Sequence, residues 1–214
     1  MSVTARAMPA RRFASRGGEK LDAALDDFDL AVAGQRALDA GASTGGFTDC
    51  LLSRGASSVI AVDVAYGQLD WRLRTDERVT VLERSNVRTL TREAIGEPVD
   101  VIVADLAFIS LRAVGETFMS LSVPSADLVL LVKPQFELPK AEVPHGGVVR
   151  EAGAWARAIE LVVEAYRGLG CGLAGVTASP LRGPKGNREF FVHLRRGGED
   201  VAPDPIPAAI EAAP

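Results

Sequence analysis

The sequence is poor in the features that mark specialised protein classes. It holds two cysteines, Cys50 and Cys171, far apart, with no CxxC and no histidine at ligand spacing. That excludes a disulfide scaffold and a structural zinc site, and fits a reduced, cytoplasmic protein for which no metal is expected. No apolar run approaches the roughly 18–20 residues that span a bilayer. The stretch Met1–Arg12 lacks the apolar segment of a secretory signal and reads as part of a flexible leader over residues 1–14. Positive charge is not in excess: 24 Lys and Arg stand against 28 Asp and Glu, a formal net charge of -4. Nucleic-acid-binding domains are usually basic, so any RNA contact must come from a local patch or a partner. Aromatic residues are 6% of the chain, which leaves few to stack on bases.

What is present is one globular domain. Hydrophobic residues make up 47% and charged residues 24% of 214, enough to bury a proper core. From Ala37 short β-rich runs alternate with helical stretches. Strands are expected at Ala37–Ala42, Ser58–Val62, Val79–Glu83, Val99–Ala104, Leu128–Val132, Gly172–Ser179 and Phe190–Arg195. The first five are near-continuous apolar runs, as strands buried on both faces of a parallel sheet should be. Helices are expected at Gly46–Arg54, Gln68–Arg74, Leu111–Leu121 and Ala152–Leu169, with a short one of about two turns near Gly18 capped by Ser15. This order implies a doubly wound, mostly parallel α/β sheet. The last two strands, joined by a Gly/Pro-rich loop rather than a helix, imply an antiparallel edge. Residues 197–214, rich in Gly, Pro, Ala and acids, read as a mobile tail with at most one weak helix.

The most informative stretch runs from Leu38 to Thr48, where a strand ends in Asp39-Ala40-Gly41, a small-residue loop follows (Ala42, Ser43, Thr44, Gly45), and a helix begins at Gly46-Phe47. Glycines let backbone approach a ligand closely, and a helix N-terminus offers free N–H groups. The spacing is not GxGxxG, which weakens a pyrophosphate reading. Asp39 is placed to reach the ammonium of an amino acid ligand, and Asp63, about 20 residues on, to accept from ribose hydroxyls. Tyr66, Gly67 and Gln68 can line the same pocket, and Asn86 is the nearest polar candidate for an adenine. Together these describe a pocket for S-adenosylmethionine in a Rossmann-like methyltransferase fold.

Four charged residues fall at or near strand ends and their flanking loops: Asp105 after Val101–Ala104, Lys133 after Leu128–Val132, Glu189 opening the last strand, and Lys20 ahead of the sheet. A lysine ending an apolar strand is ordinarily a snorkelling surface residue; its place beside the cofactor loop favours function. Methyl transfer to a hydroxyl needs a base, and a lysine can serve when burial or a second cation lowers its pKa. Lys20 fits as that second cation, with Asp105 and Glu189 balancing charge.

Five motifs carry a family likeness: Ser15-Arg16-Gly17-Gly18-Glu19-Lys20-Leu21, Leu38–Thr48, Asp105-Leu106-Ala107-Phe108-Ile109-Ser110-Leu111, Leu131-Val132-Lys133-Pro134-Gln135-Phe136-Glu137, and Gly183-Pro184-Lys185-Gly186-Asn187-Arg188-Glu189-Phe190-Phe191. On these the chain, from Ser15 to about Arg196, resembles the TlyA (hemolysin A-like) family of rRNA 2′-O-methyltransferases and, more distantly, the FtsJ type. The resemblance implies a lysine–aspartate–lysine–glutamate tetrad for 2′-hydroxyl methylation on Lys20, Asp105, Lys133 and Glu189, within a methyltransferase domain over 15–196. It also implies rRNA or a ribosomal subunit as partner. Two departures stand out. The small RNA-binding domain typical of the family ahead of the methyltransferase domain is expected to be absent, and the loop Leu138–Gly147 departs from the family's Gly/Lys-rich form, with His145 reading as a loop residue. A small-molecule acceptor, or cyclisation of the cofactor's own amino acid chain, therefore stays open as the alternative. A pore-forming role has no amphipathic or membrane-spanning element to support it.

Overall fold

The computed structural model describes residues 12–183 and 185–213. Among them seven strands form one sheet: β1 Arg36–Ala40, β2 Ser58–Val62, β3 Val79–Leu82, β4 Val99–Ala104, β5 Ser122–Val132, β6 Cys171–Ala178 and β7 Phe190–Arg196. Their order is β3-β2-β1-β4-β5-β7-β6. The first five are parallel, whereas β7 runs antiparallel to both β5 and β6. The antiparallel edge is thus a β6–β7 hairpin inserted so that its second strand lies inside. The order of strand addition reverses between the parallel neighbours β1 and β4, and the crevice beyond their carboxyl ends is where such sheets bind ligands.

Among the described residues eight α-helices flank the sheet: α1 Arg16–Asp27, α2 Gly46–Ser53, α3 Trp71–Arg74, α4 Arg92–Ile95, α5 Gly115–Leu121, α6 Pro134–Glu137, α7 Ala152–Arg167 and α8 Ile206–Glu211. Period-two alternation divides the core into two layers. Leu38, Ala40, Ile102, Ala104, Leu128 and Leu130 face α7 and its neighbours. Ala37, Val101, Val103, Val129 and Leu131 face α1 and α2. Burial on both faces is why these strands are apolar at nearly every position.

Several segments differ from the sequence expectation, each for a local reason. Helix α1 runs three turns rather than two, because Leu21, Ala24 and Leu25 continue a buried stripe against α2. Strand β5 begins six residues early, through Val123-Pro124-Ser125, where exposed Pro124 and Ser125 interrupt the apolar run and hide it. The 111–121 stretch splits into a 3-10 turn, Leu111–Val114, and α5. Only Trp71–Arg74 of the 68–74 stretch is helical, started by the Asp70 side chain accepting from Arg72 N–H. The expected mobile tail is docked: Ile206 and Ala209 are buried, and Asp200 accepts from Leu173 N–H at 2.7 Å and Arg167 Nε at 2.8 Å. Its apolar residues Ile206, Ala209 and Ile210 fall at i, i+3, i+4, the spacing of one helix face. Of the expected leader, residues 1–11 lie outside the described residues, while Phe13 is buried and Ala14 N–H donates to Asp49.

Candidate active site

The loop from β1 to α2 is bent by its hydrogen bonds. Gly41 and Ala42 N–H both donate to Val62 O, at 2.9 and 3.0 Å, which ties the loop to the end of β2. Ser43, at φ +49°, donates its N–H to Asp63 Oδ2 at 2.7 Å, and Ala65 N–H donates to Asp63 Oδ1 at 2.7 Å. One carboxylate therefore clamps two loops. Gly41 has φ +88°, and a Cβ there would lie 2.6 Å from Asp105 O. Gly46 lies against the start of α1, where a Cβ would meet Ser15 Oγ at 2.2 Å and Gly18 N at 2.8 Å. These close approaches bring three chain segments to one point.

Beyond the ends of β1, β2 and β4 opens a cleft of about 640 Å³, walled by Gly41, Ser43, Asp63, Gln68, Asn86, Asp105, Phe108 and Lys133 among others. It continues into an arm of about 370 Å³ lined by Lys20, Thr44, Gly46, Phe47, Asp105 and Arg182. A third cleft, about 420 Å³, is lined by Phe108, Lys133, Gln135, Phe136, Lys185, Asn187 and Glu189. Asp105 borders the first two and Lys133 the first and third, so these residues stand where the three meet.

Strand register explains the convergence of the charged residues. Ala104 pairs with Leu130 in the parallel β4–β5 ladder, so Asp105 and Lys133 emerge from neighbouring strands. Val132 pairs with Phe190 in the antiparallel β5–β7 ladder, which sets Lys133 across from Glu189. Lys20 arrives from α1 and places Nζ 2.6 Å from Glu189 Oε2. Lys133 Nζ is ion-paired with Asp105 Oδ1. The two pairs differ in exposure: Glu189 is 1% exposed and Asp105 27%. All four residues singled out in the sequence are thus brought to one place as two lysine–carboxylate pairs.

Three of the expected cofactor residues are placed elsewhere. Asp39 is fully buried: its Oδ2 accepts from Thr48 Oγ1 at 2.7 Å, and its Oδ1 has no partner among the described residues. One residue short of the strand end, its side chain alternates into the layer under α2 instead of the cleft. Burial, with the neighbouring charges of Asp105 and Asp63 adding to it, pushes its carboxyl up to about 7 despite the Thr48 hydrogen bond. Tyr66 is exposed, with the Arg84 guanidinium 4.3 Å over its ring, and borders none of the three clefts. Gly45 caps α2 behind the cleft wall. Asn86 does line the cleft, though its Oδ1 accepts from Arg88 N–H.

Two residues that the sequence showed only as motif members hold the site together. Buried Glu137 accepts from Ser110 Oγ at 2.5 Å and Leu111 N–H at 2.8 Å, joining the loop after Asp105 to that after Lys133. Burial raises its carboxyl above the usual range. Asn187 donates to Gly147 O at 2.8 Å and accepts from Val149 N–H at 2.9 Å, which fixes the Leu138–Gly147 loop beside Glu189. Phe108, 91% exposed at φ +64°, stands with its ring 5.3 Å from Phe136. Glu137→Gln is expected to lower stability by about 1–3 kcal/mol by breaking a buried charge-assisted network. An unchanged urea midpoint would show that the two loops are held otherwise.

The FtsJ-like methyltransferase family matches residues 13–196. The 16S/23S rRNA (cytidine-2′-O)-methyltransferase TlyA of Mycobacterium tuberculosis is 55% identical over 185 residues, covering 86% of this chain and 69% of that protein. YqxC of Bacillus subtilis, a candidate rRNA methyltransferase, is 41% identical over 198 residues, covering 92% of this chain and 70% of its own. Among solved structures, a candidate hemolysin of Lactococcus lactis superposes with a TM-score of 0.90 at 36% identity, covering 94% of this chain and 98% of that one.

Proposed function

The chain belongs to the FtsJ-like methyltransferase family, and on that premise we propose that it methylates a ribose 2′-hydroxyl of ribosomal RNA, with S-adenosylmethionine as donor. The observation that carries this reading is the pair of lysine–carboxylate contacts at the meeting point of the three clefts. The relatives support the substrate, since TlyA of Mycobacterium tuberculosis is named for 2′-O-methylation of cytidine in 16S and 23S rRNA. A small-molecule acceptor gains no such support.

The large cleft suits the donor. Gly41, where a Cβ would strike Asp105 O, lets the loop seat tightly against Asp105 at the cleft wall. Asp63 uses one lone pair of each oxygen on backbone N–H groups and retains others for ribose hydroxyls. Ser43, Asn86 and Asp105 offer further polar contacts along the same wall, and Gly46 and Phe47 line the arm beside it. When bound, S-adenosylmethionine supplies an electrophilic methyl group on its sulfonium.

The chain's own residues supply positioning and the base. A ribose entering the 420 Å³ cleft passes between Lys133 and Glu189. Lys133 Nζ is the group placed to take the proton that the 2′-hydroxyl loses as its oxygen gains the methyl carbon. Asp105 orients that Nζ and balances the ammonium formed. The Lys20–Glu189 pair fixes the opposite wall, where Lys20 can donate to the attacking oxygen and hold its lone pair in line. Among the described residues no helix is long and apolar enough to cross a membrane; a ribosomal substrate supports a cytoplasmic location.

Incubation with methyl-labelled S-adenosylmethionine and separated ribosomal subunits tests this reading. Label is expected in rRNA, at a linkage made alkali-resistant by ribose methylation. Donor consumption without label in rRNA, or label on a base, would overturn it.

A further inference from the structure

Next to the tetrad lies a concavity that methyl transfer does not use. It measures about 330 Å³ and is walled by Val148, Arg150, Trp155, Arg182, Lys185 and Arg188. Four cations surround it in a chain whose net charge is -4. Among the described residues, no carboxylate is ion-paired with Arg150, Lys185 or Arg188. The Arg188 guanidinium stands 5.6 Å over the Trp155 ring, and its Nη1 is buried with no partner among the described residues. Burial and the adjacent Arg182 charge both lower its pKa, so the cluster carries repulsion that a bound anion would relieve.

The walls are held in place before any ligand arrives. Trp155 Nε1 donates to Val149 O at 3.0 Å, and its ring packs on Phe190 with centroids 5.9 Å apart. Asn187 joins the loop of Lys185 and Arg188 to that of Val148 and Arg150. With Trp155 packed on Phe190 and covered by Arg188, the concavity reads charge rather than bases. It is also continuous with the site: Arg182 borders the Lys20 arm, and Lys185 borders the cleft of Lys133 and Glu189.

We propose that this basic concavity is a phosphate subsite, which grips the phosphodiester backbone of the RNA strand beside the ribose being methylated. It rests on the RNA reading above and adds where the strand runs. It also offers a local source of affinity in a chain with no overall basic charge. Contacts of this kind position the strand without reading its sequence.

The exposed pair Arg150→Gln/Lys185→Gln tests it in the full chain. Binding of a short single-stranded RNA to the double variant is expected to weaken about tenfold, with the slope of log affinity against log salt falling by about 1.4, two phosphates' worth. Arg150→Lys/Lys185→Arg should restore both, and affinity for S-adenosylmethionine should be unchanged, since neither residue borders the 640 Å³ cleft. Unaltered RNA affinity and salt slope would overturn the proposal. So would inorganic phosphate that quenches Trp155 in a Trp71→Phe background without competing with RNA, because the site would then take a free ion. Failure of the wild type to methylate rRNA would defeat the functional reading, while the RNA-binding readout would still decide the subsite.

Discussion

Lys133→Ala is expected to lower turnover on ribosomal subunits by about 10³-fold, in the range for loss of a positioned general base, while stability changes little. Lys133 is the lysine bordering both the donor cleft and the acceptor cleft. Its partner Asp105 is 27% exposed, so water can take over when the ammonium is removed. Lys20→Ala should behave differently. It strands Glu189, 1% exposed, as a buried unpaired charge, at a cost of about 3–5 kcal/mol. For a chain of this size that is a fall in Tm of roughly 10 °C. Adding Glu189→Gln should recover most of the Tm but not the activity. Single-turnover rates and thermal melts of the four proteins separate the roles. If Lys133→Ala keeps more than about a tenth of wild-type turnover, another group takes the proton.

The same contrast explains how much of the molecule the sequence reveals. The central strands are legible because helices on both faces demand apolar residues at almost every position, as in Val101–Ala104. The first half of β5 is not, since Pro124 and Ser125 lie where the ladder with β4 is irregular and water reaches the strand. The tetrad is legible as residues at strand ends, but not as pairs: that Lys20 meets Glu189 rather than Lys133 depends on the seating of α1 against Gly46. Glu137 and Asn187 act on partners 26 and 38–40 residues away, and nothing local announces such a contact. Asp39, expected at the ligand's ammonium, turns into the layer under α2 for a reason of register. A carboxylate near a strand's end points to the ligand or into the helix layer according to one step of alternation, and the true end of β1 falls at Ala40.

That burial gives Asp39 the second large effect. A carboxyl whose pKa rises from 3.8 to about 7 on folding makes the folded state hold a proton that the unfolded chain releases. Its contribution is therefore lost as pH rises: nothing below about 4, a growing penalty between 4 and 7, and a constant one of about 4 kcal/mol above. Asp39→Asn removes the titration while its amide oxygen still accepts from Thr48 Oγ1. It replaces the unpartnered Oδ1 with a buried NH₂ lacking an acceptor, which costs about 1–3 kcal/mol at every pH. The stability curves should consequently cross. At pH 3 the variant is expected to be the weaker protein and at pH 8 the stronger, by about 1–3 kcal/mol in each direction, as read from urea midpoints. Parallel curves would show that the carboxyl does not titrate in this range. Because the charges of Asp105 and Asp63 help keep Asp39 neutral, a cationic ligand in the cleft should favour its ionised form. Wild-type affinity for S-adenosylmethionine is then expected to tighten as pH rises through 7, and the variant to lose that dependence. A pH-independent wild-type affinity would mean that Asp39 acts on α2 through Thr48 alone.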